Sequence, residues 1–213
     1  GGSNKEAYMQ ACWRTPRPFY FADMPYTNRW MGEHTAETCH WRIVKDALNI
    51  THNRWNLPQD RAKKQGLVCK DWQTKGRHIL VCPSSDTMTR LCTPGGMTAR
   101  NWAENTVSDL RDVTDRPIKV RYKPRANGTS GPMAATIPLS EDLKDCHAIV
   151  TLVSSAAVEA VMLGIPSFCS TYSAAVPVSN CDFNSIETPH YDDKRDSWLN
   201  SIAYSQFTKE EMR

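Results

Sequence analysis

The sequence predicts an α/β fold: a parallel, Rossmann-like sheet in the second part of the chain, preceded by a reduced N-terminal block. From residue 77 onward, short apolar runs alternate with helical segments, and this alternation is typical of parallel sheets with right-handed crossovers. Each apolar run is bounded by polar or proline-containing segments, as buried strands are. Hydrophobic residues form 40% and charged residues 23% of the chain, the balance of an ordinary globular protein.

The elements of the second part can be placed one by one. Strands are predicted at 78–82, 117–121, 148–152 and 166–169. Helices are predicted at 98–112, from Ser140 to Leu143, at 154–163 and at 196–205. Gly164 ends the third of these helices, and the segment 126–136, rich in small residues and proline, predicts a loop.

The first part of the chain is less regular. Short strands are predicted at 18–22 and 41–44, and the polar segment 54–65 predicts a loop followed by a short helix. Gly1-Gly2-Ser3 is typical of a cloning remnant. The predicted organisation is a remnant over 1–3, a reduced N-terminal block over 4–76 and a Rossmann-like nucleotide-binding domain over 77–213.

Charge and composition narrow the function classes. Lys and Arg number 26 and Asp and Glu number 23, so the net charge is +3; this permits an anionic ligand without demanding nucleic acid. No apolar run is long enough to span a bilayer and no signal peptide is visible, so we expect no membrane span and a cytoplasmic location. The eight cysteines form no C-x-x-C pair, so the usual zinc spacing is absent and no metal is predicted. In a cytoplasmic protein the cysteines are expected to be reduced, structural thiols. We also expect no resident cofactor.

The strongest functional signal is a buried strand that ends at Ser154-Ser155, where a helix begins. Free backbone N–H groups at a helix start attract anions, and ligands of parallel sheets bind beyond the carboxyl ends of the strands. Glu159, more than one turn into the helix, is placed to bind ribose or sugar hydroxyls. The alternative is structural, because serine is a common helix N-cap.

Two further segments follow strands at the same predicted edge. Arg121 and Lys123 alternate with Tyr122, so they share one face of their strand and are candidates to bind a diphosphate. Ser84-Ser85 forms a second loop of small residues. The alternatives are a solvated basic strand end and a simple turn.

Asp23 follows the apolar strand of the first part. It is a candidate general base that would deprotonate an acceptor across a cleft. The alternative is an aspartate in an ordinary turn.

The segment from Ala148 to Phe168 resembles the donor-binding segment of GT-B glycosyltransferases, with its strand, paired serines, helical Glu and Gly-x-Pro turn. The wider span from Gly76 to Arg213, about two-thirds of the chain, is similar to a group of uncharacterised phage and bacterial glycosyltransferases. The motifs that carry the similarity are Thr114-Asp115-Arg116-Pro117-Ile118, Arg121-x-Lys123-Pro124, Ser155-Ala-Ala-Val, Gly164-Ile-Pro166, Ile186-Glu187-x-Pro189, Arg195-x-x-Trp198-Leu199 and Ala203-Tyr204-x-Gln206-Phe207-Thr208-x-Glu210-Glu211. In the front block, the segment from Pro18 to Tyr26 is similar to an Asp-x-x-Tyr element of the same group.

The resemblance implies that the second part is the C-terminal, nucleotide-sugar-binding half of a GT-B-type enzyme, which moves a sugar from a nucleotide-diphosphate donor without a bound metal. For a phage enzyme, which acts in the cytoplasm of its host, the implied acceptor is a hydroxymethylated pyrimidine in DNA. The first part is too short for a complete second Rossmann domain, so two alternatives stay open. One is a non-catalytic nucleotide or nucleotide-sugar binding module; the other is a structural protein that has kept the fold and lost the site.

Overall fold

The structure is a computed structural model. It describes residues 17–28, 37–52, 56–123 and 137–213, together with residues 7, 10–12, 15 and 35. The chain divides into two compact units, one formed by Gly1–Cys69 and Asp193–Arg213, the other by Lys70–Asp192. The predicted remnant over 1–3 and the predicted loop over 126–136 lie outside the described residues.

The described residues form strands and helices in both units. The strands are β1 (Tyr20–Asp23), β2 (His40–Lys45), β3 (His78–Val81), β4 (Ile118–Val120), β5 (Cys146–Thr151), β6 (Ser167–Cys169) and β7 (Gln206–Thr208). The helices are α1 (Asp60–Lys64), α2 (Asp86–Cys92), α3 (Ala99–Arg111), α4 (Leu139–Asp142), α5 (Ala156–Met162) and α6 (Arg195–Ala203). The sequence did not predict α2 or β7. None of the described helices is long and apolar enough to cross a membrane.

The unit of residues 70–192 is built on a four-stranded sheet in the order β4-β3-β5-β6. All three pairings are parallel: Val81 pairs with Val120 on one side and with Val150 on the other, and Val150 pairs with Phe168. The prediction of one parallel, Rossmann-like sheet built from these four segments is confirmed.

Helices cover both faces of this sheet. Ile79 and Val81 of β3 pack with Leu110 of α3, whereas Leu80 packs on the other face with Ala160 of α5. The chain crosses the sheet in one direction from β3 to β4 and in the opposite direction from β4 to β5 and β6. Right-handed crossovers therefore place the intervening helices on opposite faces, and β3 and β5 are buried along their whole length.

The amino edge of the parallel sheet is closed by an ion pair. Arg116 binds the carboxylate of Glu187 at 2.9 Å and donates to the carbonyl of Gly76 at 2.8 Å. Thr114 also donates to Glu187, and His147 bonds to the carbonyl of Ile186 at 2.7 Å. The Thr-Asp-Arg-Pro and Ile-Glu-x-Pro motifs of the sequence are thus bonded to each other, and both have a structural role.

The other unit contains a three-stranded antiparallel sheet in the order β1-β2-β7. The side-chain oxygen of Gln206, in β7, accepts hydrogen bonds from the backbone of Tyr26 at 3.1 Å and Thr27 at 3.3 Å. Its amide nitrogen donates to Gln65 at 2.8 Å, and Gln206 is fully buried. Residues 193–213 therefore belong to this unit. The division differs from the predicted boundary between 76 and 77, because pairing over so long a sequence separation leaves no local pattern.

Arg61 connects α1 to the end of the chain within the same unit. It binds both carboxylate oxygens of Glu211 at 3.0 Å and donates to the carbonyl of Gln206 at 2.8 Å. Partial burial opposes ionisation of Glu211, but hydrogen bonds from Arg61, the Thr208 backbone and Lys64 outweigh it and lower its pKa to about 2.

Gly164 ends α5 in a conformation that glycine tolerates, with φ of +82°. A Cβ at this position would lie 2.0 Å from the carbonyl oxygen of Asp71. The tight turn between α5 and β6 therefore requires both a positive φ and the absence of a side chain.

We predict that Gly164→Ala destabilises the protein more than Gly95→Ala does. Gly95 has a similar φ of +72° but nothing within 4 Å of its virtual Cβ, so both variants carry the left-handed strain of about 1–2 kcal/mol. The clash should add about 1–3 kcal/mol for Gly164→Ala alone. Urea unfolding gives the free energy of unfolding of both variants. Equal losses of stability would contradict the requirement for a residue without a side chain at position 164.

Glu211→Gln should lower the free energy of unfolding at pH 7, with a loss that shrinks as the pH falls from about 4.5 towards 2. A carboxylate whose folded pKa is depressed stabilises the fold above its unfolded pKa and loses that contribution through its folded pKa of about 2. Denaturant unfolding across this pH range is the measurement. Glu210→Gln, the same change at an exposed neighbour, is the control; parallel pH profiles for the two variants would reject the assignment.

Candidate functional site

The carboxyl edge of the parallel sheet contains a topological switch point between β3 and β5. The chain leaves β3 towards β4 on one side and continues later from β5 towards β6 on the other. At such a point the two loops diverge and leave a crevice in which ligands of open α/β sheets bind. The loop after β3 carries Ser84 and Ser85, and the loop after β5 carries Ser154 and Ser155.

The loop after β3 is held by side-chain hydrogen bonds. The buried Ser84 hydroxyl accepts from the backbone of Val153 at 3.1 Å and so joins the two loops of the switch point. Ser85 is exposed and is the N-cap of α2, with its hydroxyl accepting from the Met88 backbone at 3.4 Å. Asp86 accepts from the backbone of Ala99 at 2.8 Å, which ties the start of α2 to the start of α3.

The loop after β5 enters α5 through both predicted serines. The Ser154 hydroxyl accepts from the Ala156 backbone at 3.2 Å. Ser155 is the N-cap residue, is half-buried and makes no side-chain capping bond. Glu159 lies half-buried in the first turn of α5, so the backbone places it on the same short helix as the serines.

Neighbouring strands are also joined at this edge by side chains. Thr151 donates to the carbonyl of Cys82 at 2.6 Å, and Ser170 donates to the carbonyl of Leu152 at 2.7 Å. Burial raises the pKa of the Cys82 thiol far above its usual range and that of Cys169 to about 11. These two strand-end thiols are therefore packing groups and not nucleophiles.

Arg121 and Lys123 follow β4 but differ in their surroundings. The Arg121 guanidinium forms an ion pair with Asp142 and donates to the carbonyl of Ile137 at 2.8 Å. Its side chain is 10% exposed. Asp142, at the end of α4, balances its positive charge. Lys123 is exposed. Pro124 and Arg125, the rest of the predicted basic element, lie outside the described residues.

Asp23 lies in the other unit, where it forms an ion pair with Arg42. Arg42 donates to Asp23 at 2.8 Å and to Asn49 at 2.6 Å, and its guanidinium lies 5.3 Å from the ring centre of Phe21 and 5.4 Å from that of Tyr26. The Asp-x-x-Tyr element is thus part of a partly buried cation–aromatic cluster around Arg42. Sequence reasoning missed Arg42, although it occupies an inward position of β2 between His40 and Val44.

Other acidic groups lie apart from the serine loops. A depression of about 430 Å³ is lined by Asp109, Asp112 and Asp182, with Cys181 beside them, and its negative charge suits no phosphate. Among the described residues, no group of three His, Cys, Asp or Glu side chains is placed to hold a metal ion.

No protein-family model and no curated protein matches the chain. Among solved structures, it is similar to KpsC of Thermosulfurimonas dismutans, a beta Kdo 2,7 transferase, with 14% identity and a TM-score of 0.40. The similarity covers 65% of this chain and 50% of that one.

We predict that Arg121→Ala lowers the free energy of unfolding by about 2–4 kcal/mol, because it leaves a largely buried Asp142 carboxylate without its partner. Lys144→Ala removes a pair with Glu141 in which the lysine is 70% exposed, and should cost at most about 1 kcal/mol. Denaturant unfolding compares the two. Similar losses would show that Arg121 is not a structural residue.

Proposed function

We propose that the chain binds the diphosphate of a nucleotide sugar at the switch point, and that residues 70–192 are the nucleotide-binding half of a GT-B-type glycosyltransferase. The observation that carries the proposal is the presence of a serine pair on each of the two loops of the crevice, after β3 and after β5. Small side chains allow phosphate oxygens to approach backbone N–H groups, which bind anions at the starts of helices.

The residues of the site take different roles in this proposal. Ser85 and Ser155 lie at the starts of α2 and α5 and bind phosphate oxygens through hydroxyl and backbone groups. Lys123 supplies a positive charge from the end of β4, next to β3 in the sheet. Glu159 binds hydroxyls of the ribose or of the transferred sugar. Ser84, Ser154 and Arg121 shape the loops through their bonds to Val153, Ala156 and Asp142.

The transferase part of the proposal is supported by the resemblance of the segment from Ala148 to Phe168 to donor-binding segments. In this proposal Asp23 is the base that deprotonates the acceptor. One of its carboxylate oxygens binds Arg42, and its side chain is 40% exposed. The acceptor class we propose is a hydroxymethylated pyrimidine in DNA, following the resemblance to phage enzymes.

A second candidate function is a nucleotide-binding module without catalysis. It is favoured by the pairing of Asp23 with the buried Arg42, because a carboxylate that forms an ion pair is a weaker base. Release of nucleotide from a panel of uracil-, guanine-, cytosine- and adenine-containing nucleotide sugars separates the two. Turnover supports the enzyme, and binding without turnover supports the module.

The diphosphate site predicts that Ser85→Asp weakens binding of nucleoside diphosphates. Aspartate caps helices as well as serine does, so α2 stays intact while a negative charge enters the crevice. Repulsion between charges about 5 Å apart costs about 1–3 kcal/mol, which is about 5- to 150-fold in affinity. Calorimetric titration with UDP, GDP, CDP and ADP measures the effect.

Thr188→Asp is the matched control for this experiment. Thr188 is exposed and follows Glu187, which binds Arg116 at the opposite edge of the sheet. The same added charge there should leave affinity unchanged within about twofold, less than 0.5 kcal/mol. Equal effects of both variants, or no nucleotide binding by the unsubstituted protein, would refute the site.

A further inference from the structure

The turn that follows β6 carries an exposed tyrosine at the carboxyl edge of the sheet. Tyr172 is 47% exposed and is the one exposed aromatic side chain among the described residues of the unit 70–192. Phe168, Trp102 and Phe183 instead lie in or against the core cluster on the α3 face. An aromatic ring held at the surface is a candidate contact surface for a ligand.

This turn is fastened to the loop after β5. The backbone N–H and the hydroxyl of Ser170 both donate to the carbonyl of Leu152, at 3.1 Å and 2.7 Å. The Ser170 hydroxyl also accepts from the Tyr172 backbone at 3.3 Å, and the Ser173 backbone donates to the Ser170 carbonyl at 3.0 Å. Leu152 precedes Ser154 by two residues, so the backbone of Tyr172 has a fixed position relative to the serine loop.

We propose that Tyr172 stacks against the base of a nucleotide whose diphosphate lies at the switch point; this inference rests on the proposed function. Strands lie about 4.8 Å apart, so the turn after β6 is roughly one to two strand spacings from the crevice between β3 and β5. A nucleotide running along the edge in that direction brings its planar base to the Tyr172 ring. Stacking on an aromatic side chain accepts every base, since each has a π face.

The opposite direction along the edge offers a poorer surface. Tyr122, after β4, is half-buried and interacts with Glu104 and Arg100 of α3, and these two residues pair with each other at 2.8 Å. Arg121 is paired with Asp142. The more exposed aromatic side chain at this edge, Tyr172, therefore lies on the β6 side of the switch point.

The test is calorimetric titration of the protein with pyrophosphate and with UDP, GDP, CDP and ADP, for the unsubstituted chain, Tyr172→Ala, Tyr172→Phe and Tyr20→Ala. Tyr172→Ala should weaken the tightest nucleoside diphosphate about 5- to 150-fold, the effect of 1–3 kcal/mol of lost stacking. Its pyrophosphate affinity should not change. Tyr172→Phe keeps the ring and should restore nucleotide affinity to within about twofold. Tyr20, 71% exposed in the other unit, controls for loss of a surface tyrosine.

Each remaining outcome overturns the inference in a distinguishable way. Nucleotide affinity that is unchanged in Tyr172→Ala rejects the stacking role and leaves the diphosphate site standing. Equal losses for pyrophosphate and nucleotide show that Tyr172 only supports the fold of the edge. Absence of any binding by the unsubstituted protein rejects the proposed function and the inference together.

Discussion

The parallel pairing of β3 with β5 is the interaction on which the candidate site depends. Both strands are completely buried, and the pairing begins with an irregularity: His78 pairs with Cys146 and Ile79 with Ala148. Gly76 makes this close passage possible, because a Cβ there would lie 2.2 Å from the His147 nitrogen. Since β4 pairs on the outer side of β3, the topological switch point between β3 and β5 at the carboxyl edge follows from the strand order alone.

Arginine–carboxylate pairs stabilise each of the two units internally. Arg116 pairs with Glu187 and Arg121 with Asp142 in one unit, and Arg61 pairs with Glu211 and Arg42 with Asp23 in the other. Bidentate or multiply bonded arginine is suited to this role because its planar guanidinium satisfies several acceptors at once. Several motifs behind the resemblance to glycosyltransferases therefore have a structural role, and the serine loops are the part to which we assign a ligand-binding role in the proposal.

The positive electrostatic potential at the proposed site is consequently weaker than a cluster of unpaired cations would produce. Arg121 is neutralised by Asp142, so the positive potential of the proposed site depends largely on backbone N–H groups at the starts of α2 and α5. α5 spans seven residues, so its end charge is modest. Affinity for a nucleotide would then depend strongly on contacts to the base and sugar, and Tyr172 would supply the contact to the base.

The sequence by itself predicted the parallel sheet, because its two central strands, β3 and β5, are rich in apolar residues and alternate with the helical segments α3 and α5. It also identified both serine pairs. Tertiary structure alone decided the rest. β7 has only three residues and forms because β2 offers a free edge, which no local pattern reveals. The sequence also does not reveal the ion-pair partners of Arg121 and Asp23. It predicts that both residues follow strands, but not that Arg121 pairs with Asp142 and Asp23 with Arg42. A buried charged side chain needs an oppositely charged partner, because an unpaired buried charge destabilises the fold. The packing of segments that are distant in the sequence decides which residue becomes that partner.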